Sequence, residues 1–326
     1  MKVGVLGTGG IGNVHARQYA KMPDVQVHGF DTDVEKRGKF CAQWGATECT
    51  SLDELLGRID ILDICLPTDA HLEFGLKGLE AGKAVFVEKP ITRTMAEARE
   101  LMAAAKNADR PLMVGQVVRF FPEYSAAHRA IQAGKIGTPA AVRMRRGGLA
   151  PQGSEGWFQN LERSGGVLLD LAVHEFDWLT WTLGEATQVY SRSVRLGETV
   201  QDAEFVGDYA LTTITFANGA VAHVESTWLD PSGFRVTLEV AGSEGLIEYD
   251  SRQNPTLRTH VTGQTRNESL MAPNDDPYFR LYRACVDSVR DGTPPPVSGE
   301  EAVRALALSL AAIESAKTGQ PVTPER

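Results

Sequence analysis

Apolar residues over the first hundred or so positions fall in short solid blocks separated by stretches of helical period. Val3-Gly4-Val5-Leu6, Val25–Phe30, Ile59–Leu66, Ala84–Val87 and Leu112–Val114 read as strands. The Ile59–Leu66 run is nearly all apolar, as expected of a strand covered on both faces. Between the blocks, Ile11–Met22, Val34–Trp44, a short segment from Ser51, Asp69–Ala81 and Ala96–Lys106 read as helices, with Gly45 and Gly82 as stops. Ser51 with Glu54 and Thr94 with Glu97 have the spacing of capping boxes. This alternation predicts an α/β fold with a doubly wound parallel sheet.

Past Arg119 the texture changes. Pro122–Ala133, closed by Gly134, and Leu168–Leu183 read as helices. Strand-like segments then follow with few helices between them: Gln188–Leu196, Tyr209–Phe216, Val221–Thr227, Arg235–Ala241 and Leu246–Tyr249. Asn218-Gly219 is a hairpin turn signal, and Gly242–Gly245 a second turn. Strands joined by tight turns predict an open-faced, mainly antiparallel sheet in an α+β domain. Tyr278–Arg290 reads as a helix, and Pro294-Pro295-Pro296 as a stiff linker. Ser298 and Glu301 cap a last helix through Ala316, whose stripe of Val303, Leu306, Leu310 and Ile313 must dock on something.

Composition narrows the class. A hydrophobic fraction of 42% and a charged fraction of 23% are ordinary for a globular chain and argue against disorder. A net charge of −9 argues against a nucleic-acid partner, which needs a basic face. The one basic run, Arg143, Arg145 and Arg146, alternates with Val142 and Met144, a strand with one polar face. It reads as a solvated strand edge, or as contacts at a domain junction or with an anionic substrate. Cys41, Cys49, Cys65 and Cys285 form no CxxC pair and no cluster with metal-site spacing, so no metal is expected. Cys65 reads as a small buried hydrophobe, and free thiols suit a reducing cytosol. Val3–Leu6 is too short for a signal peptide, and no window approaches the ~18 apolar residues of a membrane helix. A cytoplasmic protein without a membrane partner is expected.

The first strand runs into Gly7-Thr8-Gly9-Gly10-Ile11-Gly12, a G-x-G-x-x-G placed between strand and helix. Gly7 permits the tight turn, Gly9 lets backbone approach a pyrophosphate, and Gly12 lets helix pack on strand. Asp31 lies 19 residues after Gly12, at the end of the second strand, where an acid meets the adenosine ribose. A carboxylate there accepts from ribose hydroxyls and repels a 2′-phosphate, so NAD is preferred over NADP. Asp33 adds to this, while Lys36 and Arg37, one helical turn on, read as solvated helix positions. The chain then divides into an NAD-binding domain over 1–118, a substrate and oligomerisation domain over 119–297, and a terminal helix over 298–326 returning to the first domain.

Three further features carry candidate chemistry. Glu88-Lys89-Pro90 directly follows the fourth strand, at the end of a sheet where ligands bind. Lys89 reads either as a group reaching nicotinamide or substrate, or as a surface lysine before a proline turn. Asp170 and His174 stand i, i+4 on a helix otherwise rich in Leu, Val, Phe and Trp. Such a polar pair costs free energy unless satisfied, and histidine is suited to take a proton from an alcohol; a purely structural pair stays open. Leu66-Pro67-Thr68-Asp69-Ala70-His71 ends the third strand where a loop meets a cofactor, and Asp69 also suits a helix start.

With these pieces the chain resembles the Gfo/Idh/MocA family, the glucose–fructose oxidoreductase and inositol dehydrogenase group. The matching residues run in family order over nearly the whole chain. They are the GTGGIG loop, Leu66-Pro67-Thr68…His71, Ala81-Gly82-Lys83…Glu88-Lys89-Pro90, Arg119-Phe120…Pro122, Gly134…Ile136-Gly137 and Gly165-Gly166…Asp170…His174. The family often has glycine where Ala172 stands and three glycines where this chain has Gly165-Gly166-Val167. The resemblance implies a Rossmann domain plus an open-faced sheet domain, a homodimer or homotetramer packed through the sheets, and oxidation of a secondary alcohol on a sugar or cyclitol. By it Lys89 polarises the reacting oxygen, Asp170 positions substrate and lysine, and His174 is the acid–base group. It implies a cofactor site of Gly7, Gly9, Gly10, Ile11, Gly12, Asp31, Leu66, Pro67, Thr68, His71, Glu88, Lys89 and Gln116. Substrate contacts are expected from Lys89, Arg119, Gln152, Trp157, Asn160, Asp170 and His174, with Trp228 a further aromatic face. Two other readings keep the fold: a redox-neutral, glycosidase-like enzyme that returns its hydride within one turnover, and a non-catalytic NAD-binding regulator. The second has little use for Lys89, Asp170 and His174 together.

Overall fold

The computed structural model describes residues 1–151, 154–194, 208–270 and 275–326. The described residues form two compact units, Met1–Val117 with Asp275–Val303, and Val118–Asn274 with Arg304–Arg326. Both sheets have the expected character, α/β in the first unit and α+β in the second.

In the first unit, strands β1 (Lys2–Leu6), β2 (Gln26–Phe30), β3 (Thr47–Glu48), β4 (Ile61–Ile64), β5 (Ala84–Val87) and β6 (Leu112–Val114) make one parallel sheet in the order β3-β2-β1-β4-β5-β6. Every residue of β4, β5 and β6 is buried, which accounts for their apolar runs, broken only by Asp63 in β4. Helices α1 (Gly10–Tyr19), α2 (Val34–Trp44), α3 (Leu52–Arg58), α4 (His71–Glu80) and α5 (Met95–Ala108) connect the strands. Thr94 and Glu97 form the full reciprocal box at α5. At α3 Ser51 accepts from the Glu54 amide, but the Glu54 carboxylate takes the Thr50 amide and hydroxyl instead.

In the second unit α6 (Pro122–Gln132) leads to β7 (Pro139–Gly147). A short α7 (Leu161–Ser164), a π-helical turn over Val167–Leu171 and α8 (Val173–Leu183) follow. Strands β8 (Ala186–Val194), β9 (Tyr209–Phe216), β10 (Val221–Thr227), β11 (Arg235–Gly242), β12 (Gly245–Asp250), β13 (Leu257–Val261) and β14 (Gln264–Glu268) complete an eight-stranded sheet. Its order is β14-β13-β12-β11-β7-β10-β9-β8, and only β7 and β10 pair in parallel. Period-two alternation sets its faces. Val142, Met144, Ile214, Val224, Leu238 and Val240 are buried in one core with Tyr124, Phe176, Trp178 and Leu179. The Asn218-Gly219 turn closes the β9–β10 hairpin, with Gly219 at φ 87°.

Three expectations change here. The Arg143–Arg146 run is not a strand edge: β7 is central in the sheet, between β10 and β11. On the open face Arg143 pairs with Glu239, and Arg145 with Glu225 and Asp230, while Arg146 turns into the core. The β13–β14 hairpin is absent from the sequence reading because β14 is an edge strand of polar residues, Gln264-Thr265-Arg266-Asn267-Glu268, with no buried alternation to mark it. Finally, the division near 297 is displaced. Helix α9 (Pro277–Asp291) belongs to the first unit, because its apolar face of Leu281, Tyr282 and Cys285 packs on α1. There the Tyr282 ring lies 4.3 Å from His15 and 5.4 Å from Tyr19. The chain after the prolines also bonds to the β6 edge, Val114 N–H donating to Val297. Helix α10 (Gly299–Thr318) begins in the first unit, but Ala305, Leu308, Ala311 and Ala312 lie in the core of the second. It is buried through most of Ala305–Ala312, a broader contact than the single stripe expected.

Candidate active site

The cofactor candidates gather along one edge of the first unit. Gly7 follows β1, Asp31 follows β2, Leu66-Pro67-Thr68 follows β4, Glu88-Lys89-Pro90 follows β5 and Gln116 follows β6, all at the carboxyl ends of parallel strands. The winding reverses between β1 and β4, the place where such sheets open a crevice for ligands.

The glycines divide into two jobs. A Cβ on Gly12 would stand 2.1 Å from the Gly7 carbonyl oxygen, and one on Gly7, at φ +95°, 2.6 Å from the Cys65 carbonyl. These two glycines exist for packing. A Cβ on Gly9 or Gly10 would meet nothing within 4 Å, so this backbone faces open space. Helix α1 starts there with no side-chain cap and no acid in its first turn. Free N–H groups and the positive end of the helix dipole are thus presented to an anion.

Asp31 serves the loop as well as the expected ribose position. Its Oδ2 accepts from the Thr8 amide at 2.8 Å and hydroxyl at 3.0 Å, and its Oδ1 from the Asp33 amide at 2.9 Å. Asn13 braces the other side, donating to the Thr8 and Gly9 carbonyls while its own oxygen accepts from Trp44. Asn13 escaped the sequence reading, and its position one residue past the last motif glycine was the available signal. Arg37 is buried rather than solvated, bound to Glu48 and to the Asp31 carbonyl, and Lys36 pairs with Asp33.

Two expected cofactor ligands turn inward instead. His71 is buried between two carbonyls, Nδ1 2.9 Å from Pro90 and Nε2 3.0 Å from Leu66; burial lowers its pKa, and the single N–H of the neutral ring donates to one of them. Glu88 is buried too, with Oε1 on His15 and Oε2 accepting from the Lys89 amide. Gln116 behaves differently. It is buried, and neither its amide nitrogen nor its oxygen has a partner among the described residues. A buried carboxamide without partners is costly, and one at this edge fits a group that a bound ligand satisfies. Open glycine backbone, an uncapped helix start and an orphaned amide on one edge therefore suit a dinucleotide.

The second unit carries Asp170 and His174. They are not on one regular α-helix. Asp170 lies in the π-helical turn, closed by the Ala172 amide on the Val167 carbonyl at 2.9 Å, and His174 in the first turn of α8. The wider turn keeps residues four apart on one side, and π turns of this kind recur at functional sites. Gly165 and Gly166 both take positive φ, 77° and 69°, which lets the chain reverse into this turn. Asp170 is buried and His174 half-buried.

The two acids just after His174 hold α8 in place. Glu175 is bound by Arg146 at 2.7 Å, and Asp177 by Nε and Nη2 of Arg119, each at 2.7 Å, with both carboxylates fully buried. Arg119, expected to meet substrate, thus spends its fork inside the unit. Asn160, another expected substrate contact, caps α7 by accepting from the Arg163 amide. Trp157 is half-buried with its ring 4.0 Å from Phe158, which meets Trp228 edge-on. Gln152 lies outside the described residues. We expect Arg146→Ala to destabilise the protein by about 3–5 kcal/mol, because Glu175 is left buried and unpaired. In urea unfolding, the double variant Arg146→Met/Glu175→Leu should recover most of that loss. A single variant within about 0.5 kcal/mol of the parent would show the pair to be dispensable.

Comparison with known proteins gives this geometry its setting. Residues 1–116 match the NAD-binding Rossmann-fold model of the Gfo/Idh/MocA oxidoreductase family, and residues 128–323 match that family's C-terminal alpha/beta domain. The myo-inositol 2-dehydrogenase of Thermotoga maritima is 28% identical, covering 100% of this chain and 99% of its own. The scyllo-inositol 2-dehydrogenase (NAD(+)) of Bacillus subtilis is 31% identical, covering 99% and 96%. Among solved structures, GenD2 from gentamicin A biosynthesis, in complex with NAD, superposes with a TM-score of 0.88 at 27% identity, covering 100% and 97%. Within the described residues no helix is long and apolar enough to cross a membrane. The glycine loop, the lysine after β5 and the acid–histidine turn stand in a chain matched by both family domains, so this protein is an NAD-binding oxidoreductase of the Gfo/Idh/MocA family, a dehydrogenase acting on CH–OH groups.

Proposed function

We propose that this dehydrogenase interconverts a secondary alcohol and a ketone on a cyclitol or sugar, with NAD rather than NADP as its cofactor. Full-length similarity to two inositol dehydrogenases supports the substrate class. The observation that carries the chemistry is Lys89, placed directly after β5 on the edge that holds the open glycine backbone. Bound NAD supplies the hydride acceptor. His174 takes the proton of the hydroxyl, and Lys89 donates to the oxygen as negative charge develops there. Asp170, buried one turn before His174, orients substrate and lysine. Trp157 offers an aromatic face to the ring of the substrate. A second copy of the chain would cover the open face of the eight-stranded sheet, giving a homodimer or homotetramer.

The test is a panel of cyclitols, aldoses and nucleotide-sugars, each followed by reduced-nicotinamide absorbance with NAD and with NADP. Net reduction of NAD by a cyclitol or free sugar is the expected result. Conversion of a sugar without accumulation of NADH would establish the redox-neutral reading, and absence of any turnover on the panel would overturn the cyclitol or sugar substrate class.

Asp31 decides the cofactor preference. Asp31→Ala removes two hydrogen bonds from Thr8 of the glycine loop and one from the Asp33 amide, along with the negative charge. We expect the KM for NAD to rise about 10- to 100-fold, since each bond to a charged group is worth roughly 1.5–3 kcal/mol and part is made up by water. The KM for NADP should not rise with it. A parent enzyme working only with NADP would overturn the assignment.

A further inference from the structure

Beneath the Lys89 loop lies a buried charged group that the reaction above does not use. His15, on α1 three residues after Gly12, is fully buried in the first unit. Its Nδ1 is 2.8 Å from Asp63 Oδ2 on β4, and its Nε2 is 3.0 Å from Glu88 Oε1 after β5. A neutral imidazole has one N–H, so only the imidazolium donates to both carboxylates. Burial by itself would strip that proton, but the Asp63 carboxylate and the Cys65 sulfur together outweigh it and hold the His15 pKa well above the ordinary range. Tyr19 donates to the same Asp63 oxygen at 2.9 Å, and the Tyr282 ring lies against the imidazole. The Cys65 thiol completes the surroundings, 3.3 Å from Nδ1.

Glu88 joins this group to the lysine. Its second oxygen, Oε2, accepts from the backbone amide of Lys89 at 3.1 Å. The main chain of Lys89 therefore rests on a carboxylate whose own orientation is set by His15. The same histidine stands on the helix that opens at the phosphate-facing glycines.

We propose that His15 is a positioning residue for Lys89: an imidazolium held between Asp63 and Glu88 that fixes the Lys89 loop to the glycine-loop helix. This rests on the role given to Lys89 above. Breaking the Glu88 bond lets the lysine backbone move while the dinucleotide loop stays intact. Turnover then falls, and cofactor affinity does not.

Two substitutions separate this from a merely structural role. An asparagine amide nitrogen reaches about where Nδ1 stands, and a glutamine amide nitrogen about where Nε2 stands. His15→Asn keeps the Asp63 bond and loses Glu88, whereas His15→Gln keeps Glu88 and loses Asp63. We expect His15→Asn to lower kcat about 10- to 100-fold. Its Kd for NADH, read from tryptophan fluorescence, should stay within about threefold of the parent. His15→Gln should recover most of the turnover although its thermal stability falls as much. In the parent, nitrogen-detected NMR should show two ring N–H protons on His15 throughout the neutral range.

Equal loss of turnover in both variants, parental turnover in His15→Asn, or a singly protonated ring would each overturn the proposal. Lys89→Ala, assayed alongside, tells the two failures apart. If Lys89→Ala is inactive while His15→Asn is not, only the His15 role falls. If Lys89→Ala turns over normally, the functional reading falls and the His15 role with it.

Discussion

Lys89→Ala and His174→Ala should each lose about 10²–10⁴-fold in turnover while binding NADH as the parent does, which is the range that a positioned proton donor or acceptor supplies. The separation of the two readouts follows from the structure of the first unit. The dinucleotide contacts proposed above are the glycine backbone and Asp31, and Lys89 stands on a different strand end, after β5. His174 belongs to the second unit altogether. Asp170→Asn keeps the shape of the acid and removes its charge, so an intermediate loss is expected. The double variant Lys89→Ala/His174→Ala adds a sharper test. Two groups that act on one hydroxyl do not lose activity additively, so the double variant should be little worse than the poorer single one. Normal turnover in either single variant, by reduced-nicotinamide absorbance, would sink the assignment. Multiplicative losses in the double variant would mean that the two groups serve separate steps.

Gly12→Ala should cost both stability and cofactor affinity, whereas Gly9→Ala should cost affinity alone. The added methyl at position 12 would stand 2.1 Å from the Gly7 carbonyl oxygen. That neighbour is backbone, so no flexible side chain can swing away. The start of α1 has to move off β1, and the loop between them moves with it. We expect a drop in melting temperature and a dinucleotide affinity at least about tenfold weaker. At position 9 a methyl meets nothing within 4 Å and the backbone angles suit any residue, so the free protein should melt as the parent does. The space it fills is the space proposed for the pyrophosphate, and NADH binding should weaken there without unfolding. Titration of both variants with NADH beside their melting curves reads the two effects. Undiminished NADH affinity in Gly9→Ala would remove the pyrophosphate from that space.

Much of this arrangement was legible in the residues. Apolar runs such as Ala84–Val87, and Ile61–Ile64 with Asp63 its one interruption, announced strands buried on both faces, because a parallel sheet leaves no polar side to alternate. The alternation of β9, β10 and β11 announced a sheet with one covered face. Thr94 with Glu97 marked a helix start that the structure closes with both reciprocal bonds. These signals are local: a strand period, a cap or a turn is written within a few residues of itself. The glycine motif belongs with them, since its spacing is written within six residues, although the groups that hold the loop, Asp31 and the Cys65 carbonyl, come from other strand ends.

What the residues could not carry was the choice of partner among chemically equivalent groups. Arg119 looked free to meet a substrate and is bound to Asp177, 58 positions away. His71 looked like a cofactor contact and is buried between the Leu66 and Pro90 carbonyls. Helix α9, distant in the chain, supplies the Tyr282 ring that lies against His15. The hydrophobic pattern and the turn chemistry by themselves determined the parallel sheet, most of the antiparallel one, and the residue types offered at the strand ends. Only the tertiary structure decided which of those polar groups are spent on each other, because burial makes every unpaired charge costly and pairs it with whatever the fold brings within 3 Å or so.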